Sequence, residues 1–394
     1  MKTFVMIWIH IALLGVAGFA AATERRSVQE GEVQPGAART DAYFPVLQGK
    51  RVAVLTNHTG MVGNEHLIDM LVRSGFHVTA IFSPEHGFRG NAGAGEHVAD
   101  SVDAATGIPV FSLYGNSLSV RHTRLFDVAV VDLQDVGLRF YTYYITMMRM
   151  METCALHRKT VIVLDRPNPN GHYVDGPILD MKHRSGVGAA PIPIVHGMTI
   201  GELAEMCNGE GWLAGGVRCE LLVARCNNYT HHTAYRLPVA PSPNLPNMKA
   251  VYLYPSLCLF EGTVISLGRG TDFPFQVYGH PDMKDGTFSF TPHSVPAAKN
   301  PPHCDKLCRG MDLRHIPDEE IYTQGICLDY VIHAYRSLNI GEAFFTPFFE
   351  KLTGVDYIRR MICEGKTSAE IKAVWKDDVE RFETQRKPYL LYDE

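Results

Sequence analysis

The feature that most limits how this chain can fold is a series of short, almost unbroken runs of Val, Ile and Leu: RVAVLT (51–56), HVTAIF (77–82), IPVFSLY (108–114), FDVAVVDL (126–133) and TVIVLD (160–165). A strand with one wet face alternates apolar and polar residues, whereas a run that is apolar at nearly every position must be covered on both faces. Segments with helical spacing separate the runs. NEHLIDMLVRSG (64–75) puts Leu67, Met70 and Leu71 on one face with Gly75 as its stop, and a long helix is expected near 139–157. Strands alternating with helices predict an α/β architecture: a Rossmann-like, doubly wound, mostly parallel sheet. MTIGELAEMCNGEGW (198–212) adds a helix and ELLVARC (220–226) a strand. Past PSPNLPNM (241–248) the texture changes to mixed helices, aromatic loops, a Pro-rich stretch at 291–302, ICLDYVIHAYRSL, and the charged SAEIKAVWKDDVERFETQRK. This predicts a first domain over 41–246, a smaller α+β C-terminal domain over 247–394, and a cleft between them.

The first 22 residues read as a secretory signal peptide: a lysine, an apolar stretch, then Ala20-Ala21-Ala22 as a cleavage site. An uncleaved membrane anchor is the competing reading. The expected location is the periplasm or the medium, with residues 23–40 as a linker and no stable membrane anchor after cleavage. No Cys follows the apolar run, so a lipoprotein anchor is not indicated. A formal charge of −5 with interspersed signs and no basic run argues against a nucleic-acid partner. Nine cysteines leave at least one unpaired. Cys154, Cys207, Cys258, Cys327 and Cys363 sit among apolar, helix-like neighbours, and Cys304 and Cys308 are the disulfide candidates. A zinc site at this pair would need two further ligands, of which His303 supplies at most one, so no metal is expected.

In open α/β sheets ligands bind beyond the carboxyl ends of the strands. Asn57 and His58 follow the first run. The second leads into SPEHGFRGNAGAG (83–95), where Glu85, His86 and Arg89 stand among four glycines. A turn needs one or two glycines; several suit a loop that must approach a ligand closely. DLQDVGLRFYTYY carries Asp132, Gln134, Asp135, Arg139 and Tyr143, and Asp165, Arg166, Asn168 and Asn170 follow the next run. Four strand ends with polar side chains on one edge predict a single site. The phosphate signatures G-x-G-x-x-G and G-x-x-x-x-G-K-[ST] are missing, as are H-E-x-x-H and G-x-S-x-G. Acids, amides, Arg and Tyr remain, an inventory suited to a sugar. Breaking a glycosidic bond usually takes two carboxyl groups. Glu85 is the first candidate, since a carboxyl sheltered from water can be raised to about 6 and act as an acid. Glu202 is the second, although Thr199-Ile-Gly-Glu202 also fits a capping box, in which the Glu bonds the start of its own helix. Glu261, with Arg269 for an anionic substituent, is a third; its plain alternative is a polar loop near the domain junction.

Taken together, SPEHGFRG (83–90), DLQDVGLRFYTY (132–143), LDRPNPNG (164–171), HGMTIGELA (196–204), PSPN (241–244), LFEGT (259–263) and GRGTDFPF (268–275) resemble the exo-acting β-N-acetylmuramidases of the NamZ type, formerly a domain of unknown function. The resemblance covers about residues 45 to 394. It implies an exported enzyme that removes N-acetylmuramic acid from the non-reducing ends of peptidoglycan fragments, with its active cleft between a Rossmann-like and a smaller domain. It implies catalytic roles for Glu85 and Glu202. The substrate-binding set is then Asn57, His86, Arg89, Asp132, Gln134, Arg139, Tyr143, Asp165, Arg166, Asn168, His196, Glu261 and Arg269. Arg89, Arg139, Arg166 or Arg269 would hold the lactyl carboxylate of muramic acid. No cofactor is implied, and the partners are peptidoglycan-derived saccharides. Two other readings stand beside this one: a periplasmic muropeptide-binding protein, and a nucleotide-dependent sugar oxidoreductase.

Overall fold

The computed structural model describes residues 31–84, 88, 100–113 and 118–394. The signal-peptide expectation and Glu85, His86 and Arg89 lie outside the described residues. Residues 33–394 form one compact unit. Its first part is built on β1 (Arg51–Thr56), a short hairpin of β2 (Met61–Val62) and β3 (Glu65–His66), β4 (His77–Ser83), β5 (Ser101–Val102), β6 (Pro109–Ser112), β7 (Val128–Asp132), β8 (Thr160–Leu164) and β9 (Glu220–Ala224). All but the hairpin join one sheet in the order β5-β6-β4-β1-β7-β8-β9, parallel except for β5 at the edge. Counting only the parallel strands, the order is 3-2-1-4-5-6, the doubly wound arrangement whose switch point lies between the first and fourth strands. Here those are β1 and β7. Their register sets Thr56 beside Asp132, so both chains leave the sheet side by side.

The continuous apolar runs have the expected cause. Ala53, Leu55, Ala129, Val131, Val161 and Val163 face one core, with the helices Tyr143–Leu156 and Ile200–Gly209. Val52, Val54, Val128, Val130, Ile162 and Leu164 face the other, with the helices Thr40–Leu47 and Leu67–Arg73. The second part carries an antiparallel sheet of β10 (Val277–His280), β12 (Cys308–Asp312) and β11 (Phe288–Phe290), with helices around it. The first core continues into this part through Leu328, Val331, Ile358, Trp375 and Phe382.

Several expectations change in detail. The long helix begins at Tyr143 rather than 139, because Arg139 is used elsewhere: its backbone N–H donates to Ile194 and its guanidinium to the carbonyls of Pro177, Ile192, Leu352 and Thr353, at 2.8–2.9 Å. The helix expected over 64–75 begins at Leu67, since Glu65–His66 pair with the hairpin and His66 Nδ1 caps the helix from Ile68 N–H. The C-terminal helix breaks at Trp375, which turns into the core with its indole N–H donating to Asp175 at 2.9 Å. The segment expected as a linker is anchored from Gln34 onward: Gln34 pairs with Asn227, Gly36 N–H donates to Asp165 O at 2.7 Å, and residues from Thr40 are helical. Cys304 and Cys308 are both free. Cys308 starts β12 and is buried against Val277 and Phe290, so its thiol serves the small core.

Arg139 thus joins the two parts of the chain with no exposed surface of its own, and burial pulls its guanidinium down to about 10. Leaving a buried acceptor unsatisfied costs roughly 1–3 kcal/mol. Arg139→Met is therefore expected to destabilise the fold by at least about 3 kcal/mol, read from the urea midpoint, and Arg139→Lys should recover only part because an ammonium cannot span four carbonyls in a plane.

Candidate active site

At the switch point the polar residues beyond β1, β7 and β8 form one buried network. Asn57 Oδ1 accepts from the Thr59 backbone N–H at 3.0 Å and from its hydroxyl at 2.6 Å, and Thr59 Oγ1 accepts from Gln134 N–H at 3.2 Å. Gln134 Nε2 donates to Asp135 O and Pro167 O, tying the end of β7 to the end of β8. Asp132 takes Arg166 in a fork, Nε at 2.6 Å and Nη2 at 2.9 Å, while the same Nη2 donates to Met61 O. Both side chains are buried, so this pair holds its geometry without competition from water. Asn168 Nδ2 donates to Met198 O and its Oδ1 accepts from Asn170 N–H. Gly137, at φ +79°, lies so close that a Cβ would fall 2.3 Å from the Asn168 amide, so only glycine permits the turn.

Asp135 opens that turn. Its Oδ1 accepts from Gly137 N–H at 2.7 Å, while its Oδ2 is buried and has no hydrogen-bond partner among the described residues. Burial outweighs the backbone donors and pushes the carboxyl up to about 7. Asn57 Nδ2 is likewise buried with no partner among the described residues.

A second polar node lies at the end of β8. Glu202 completes the capping box, Oε2 accepting from Thr199 N–H at 2.8 Å and Thr199 Oγ1 accepting from Glu202 N–H at 3.2 Å. Its Oε1 accepts from Leu391 N–H at 2.8 Å and lies 3.0 Å from His231 Nε2. Asp165 sits against the same helix start. Its Oδ1 accepts from Arg166 N–H and Gly201 N–H, and its Oδ2 from the Thr199 hydroxyl at 2.7 Å and the Tyr392 hydroxyl at 2.6 Å. A Cβ on Gly201 would fall 2.6 Å from the Asp165 carboxyl carbon, so the helix approaches this closely only because glycine stands there. Burial, opposed by the Tyr392 hydrogen bond and reinforced by nearby Glu202, raises Asp165 to about 6.

Glu261 and Arg269 form a third group, from the second part. Arg269 Nε donates to Glu261 Oε1 at 2.8 Å, its Nη2 bonds the same oxygen, and the guanidinium lies 5.0 Å from the centre of the Phe275 ring. Tyr254 interacts electrostatically with this pair, and its ring meets Tyr141 edge-on. The hydroxyls of Tyr141 and Tyr143 both donate to Pro241 O in PSPN.

Of the residues expected from the sequence, Asn57, Asp132, Gln134, Arg166 and Asn168 are brought together as one network. Arg139, Asp165 and Glu202 have no accessible surface and are tied by hydrogen bonds to the backbone and side chains around them. His196 is buried behind Gly137, with Nδ1 accepting from Met198 N–H, and burial lowers it to about 3. Tyr143 is buried as well. Glu261 and Arg269 keep about a fifth of their side-chain surface accessible. Sequence reasoning missed His231 and Tyr392, which no motif marks, and gave Asp135 no precedence over Asp132.

Comparison with known proteins fits this arrangement. Two family models match in succession: the N-terminal part of exo-β-N-acetylmuramidase NamZ over residues 52–249 and its C-terminal part over residues 252–392. The chain belongs to the NamZ family. Among NamZ relatives, the peptidoglycan β-N-acetylmuramidase NamZ of Bacillus subtilis is 35% identical over 418 aligned positions, covering 99% of this chain and all of the relative. A crystal structure of a DUF1343 family protein from Bacteroides fragilis is 61% identical with a TM-score of 0.88, covering 92% of this chain and 99% of that one. A second DUF1343 protein from the same organism is 25% identical with a TM-score of 0.79, covering 92% of this chain and all of its own.

The NamZ fold here closes its second node with the chain's last residues. Tyr392→Phe removes a donor to Asp165 and the acceptor for Cys226 N–H, with an expected cost of roughly 2 kcal/mol in chemical denaturation. Protonated Asp165 needs that donor less. The cost should therefore be smallest below pH 5 and grow as pH rises through about 6.

Proposed function

We propose that this chain is an exported exo-β-N-acetylmuramidase that releases N-acetylmuramic acid from the non-reducing ends of peptidoglycan fragments by hydrolysing the β-1,4 bond to N-acetylglucosamine. The full-length likeness to the Bacillus subtilis enzyme carries this reading. The chemistry of the sheet edge agrees with it: carboxyls, amides and Arg in place of a glycine-rich phosphate cradle. Export is supported by the three-part N-terminal sequence, residues 1–22.

Glu85 of SPEHG is the acid and base of the reaction. It follows β4, which neighbours β1 at the switch point. Glu202 acts as a positioning residue, fixing the helix start and the C-terminal segment against Asp165. Arg269 receives the lactyl carboxylate. Among the described Arg candidates, Arg139 serves four carbonyls and Arg166 serves Asp132 and Met61, whereas Arg269 keeps Nη1 without a partner among the described residues and is partly accessible. Its stacking on Phe275 and its bond to Glu261 hold the guanidinium flat and fixed, as two-point capture of a carboxylate requires.

Incubation with the disaccharide MurNAc-GlcNAc, with GlcNAc-GlcNAc as control, tests the reading. Wild type should release free N-acetylmuramic acid only from the first. Glu85→Gln should lower kcat by roughly 100- to 10,000-fold with binding retained. Arg269→Met should raise KM about tenfold or more while leaving kcat within a few-fold. Absence of release by well-folded wild type would overturn the assignment.

A further inference from the structure

Among the described residues, two buried polar atoms at the switch point lack partners: Asp135 Oδ2, an acceptor, and Asn57 Nδ2, a donor. The Asn57 amide cannot simply be turned over, because its Oδ1 already accepts from the Thr59 backbone N–H, which can only donate. Native proteins leave few buried polar atoms unpaired, and each one calls for a reason. These two stand just beyond β1 and β7, the neighbouring strands between which a doubly wound sheet receives its ligand. Asp135 is also held for use: Oδ1 is fixed by Gly137 N–H, and the backbone around it is locked by Gln134 and by the close approach of Asn168 to Gly137. Local structure therefore fixes one oxygen and leaves the other for something else.

We propose that Asp135 binds the acetamido group at C2 of the muramyl residue, Oδ2 accepting its amide N–H, with Asn57 Nδ2 offering a donor to the same sugar. This rests on the muramidase reading above and names a contact that reading does not contain. An amide N–H entering a site closed to water must find an acceptor or lose a hydrogen bond, so a pre-placed carboxyl oxygen favours an N-acetylated sugar over one lacking the group. Where the acetamido oxygen itself attacks the anomeric carbon, an acceptor on the N–H also steadies the developing positive charge.

Asp135→Asn tests the contact while keeping an oxygen for Gly137 N–H. Burial raises the native carboxyl from 3.8 to about 7, so its ionisation weakens the fold as pH climbs through that interval, and the stabilising contribution is fullest below it. The amide removes that dependence, and D135N should melt no lower than wild type at pH 8. The titratable groups that interact with Asp135 among the described residues are Tyr141 and Tyr144, both pushed upward by burial, so neither produces an inflection near 7. The substrates are MurNAc-GlcNAc and its 2-deoxy analogue, which carries hydrogen in place of the acetamido group at C2 of the muramyl unit and so offers no N–H there. D135N should lose roughly 100-fold in kcat/KM on the first, lose little on the second, and lose the inflection near pH 7. Calorimetry with free N-acetylmuramic acid and with its 2-deoxy analogue should show the same loss of preference without needing turnover. If wild type binds both sugars but hydrolyses neither disaccharide, the muramidase reading fails while the binding comparison still decides the contact. Should D135N not fold, Asp135→Ser replaces it in both assays. The proposal is overturned if the variant stays within about threefold of wild type, in which case Oδ2 holds only a proton or a buried water, or if both substrates suffer equally.

Discussion

The fold depends most on how one buried carboxylate is satisfied. An ion the size of a carboxylate costs several kcal/mol to bury, a cost offset only when its lone pairs meet donors of good geometry. Asp165 meets four: Arg166 N–H in its own strand exit, Gly201 N–H and the Thr199 hydroxyl at a helix start, and the Tyr392 hydroxyl two residues before Glu394. Its backbone also takes part, accepting from Gly36 and donating to Ala224. The environment of β8 is therefore complete only when residues near both ends of the described chain have arrived. Together with the apolar core shared by both parts, this explains why residues 33–394 form one compact unit although family models divide near residue 250.

The carboxyl edge of the sheet separates residues that hold from residues that can reach. Asp132 with Arg166, Gln134 with Pro167, and Asn168 with Met198 fix the strand exits and leave their own side chains occupied. Buried networks of this kind preorganise what lies above them. Arginine shows the division most directly. Arg139 donates to four carbonyls and has become part of the scaffold, while Arg269, stacked on Phe275, retains an accessible edge. The same residue type is enclosed and serves cohesion in one place and keeps accessible surface in the other, and only the surroundings distinguish them. Among the acids, Glu202 is enclosed by its cap, Leu391 and His231, whereas Asp135 keeps one oxygen without a described partner.

The sequence by itself determined the sheet. Val, Ile and Leu at nearly every position of RVAVLT, HVTAIF, FDVAVVDL and TVIVLD require cover on both faces, and intervening helical periodicity leaves a doubly wound parallel sheet as the solution. Local chemistry likewise fixed the Thr199–Glu202 capping box, since its partners lie three residues apart. The family motifs, read in order, gave the reaction class. What only the tertiary structure decided are the contacts between residues far apart in the chain: Arg139 with Leu352 and Thr353, Tyr392 with Asp165, His231 with Glu202. No periodicity or spacing encodes these, because each depends on how two separately formed elements dock. For the same reason Asp132 and Asp135, three residues apart in DLQDVG, look alike in the sequence, and only packing gives one a guanidinium and leaves the other a buried oxygen with no partner among the described residues.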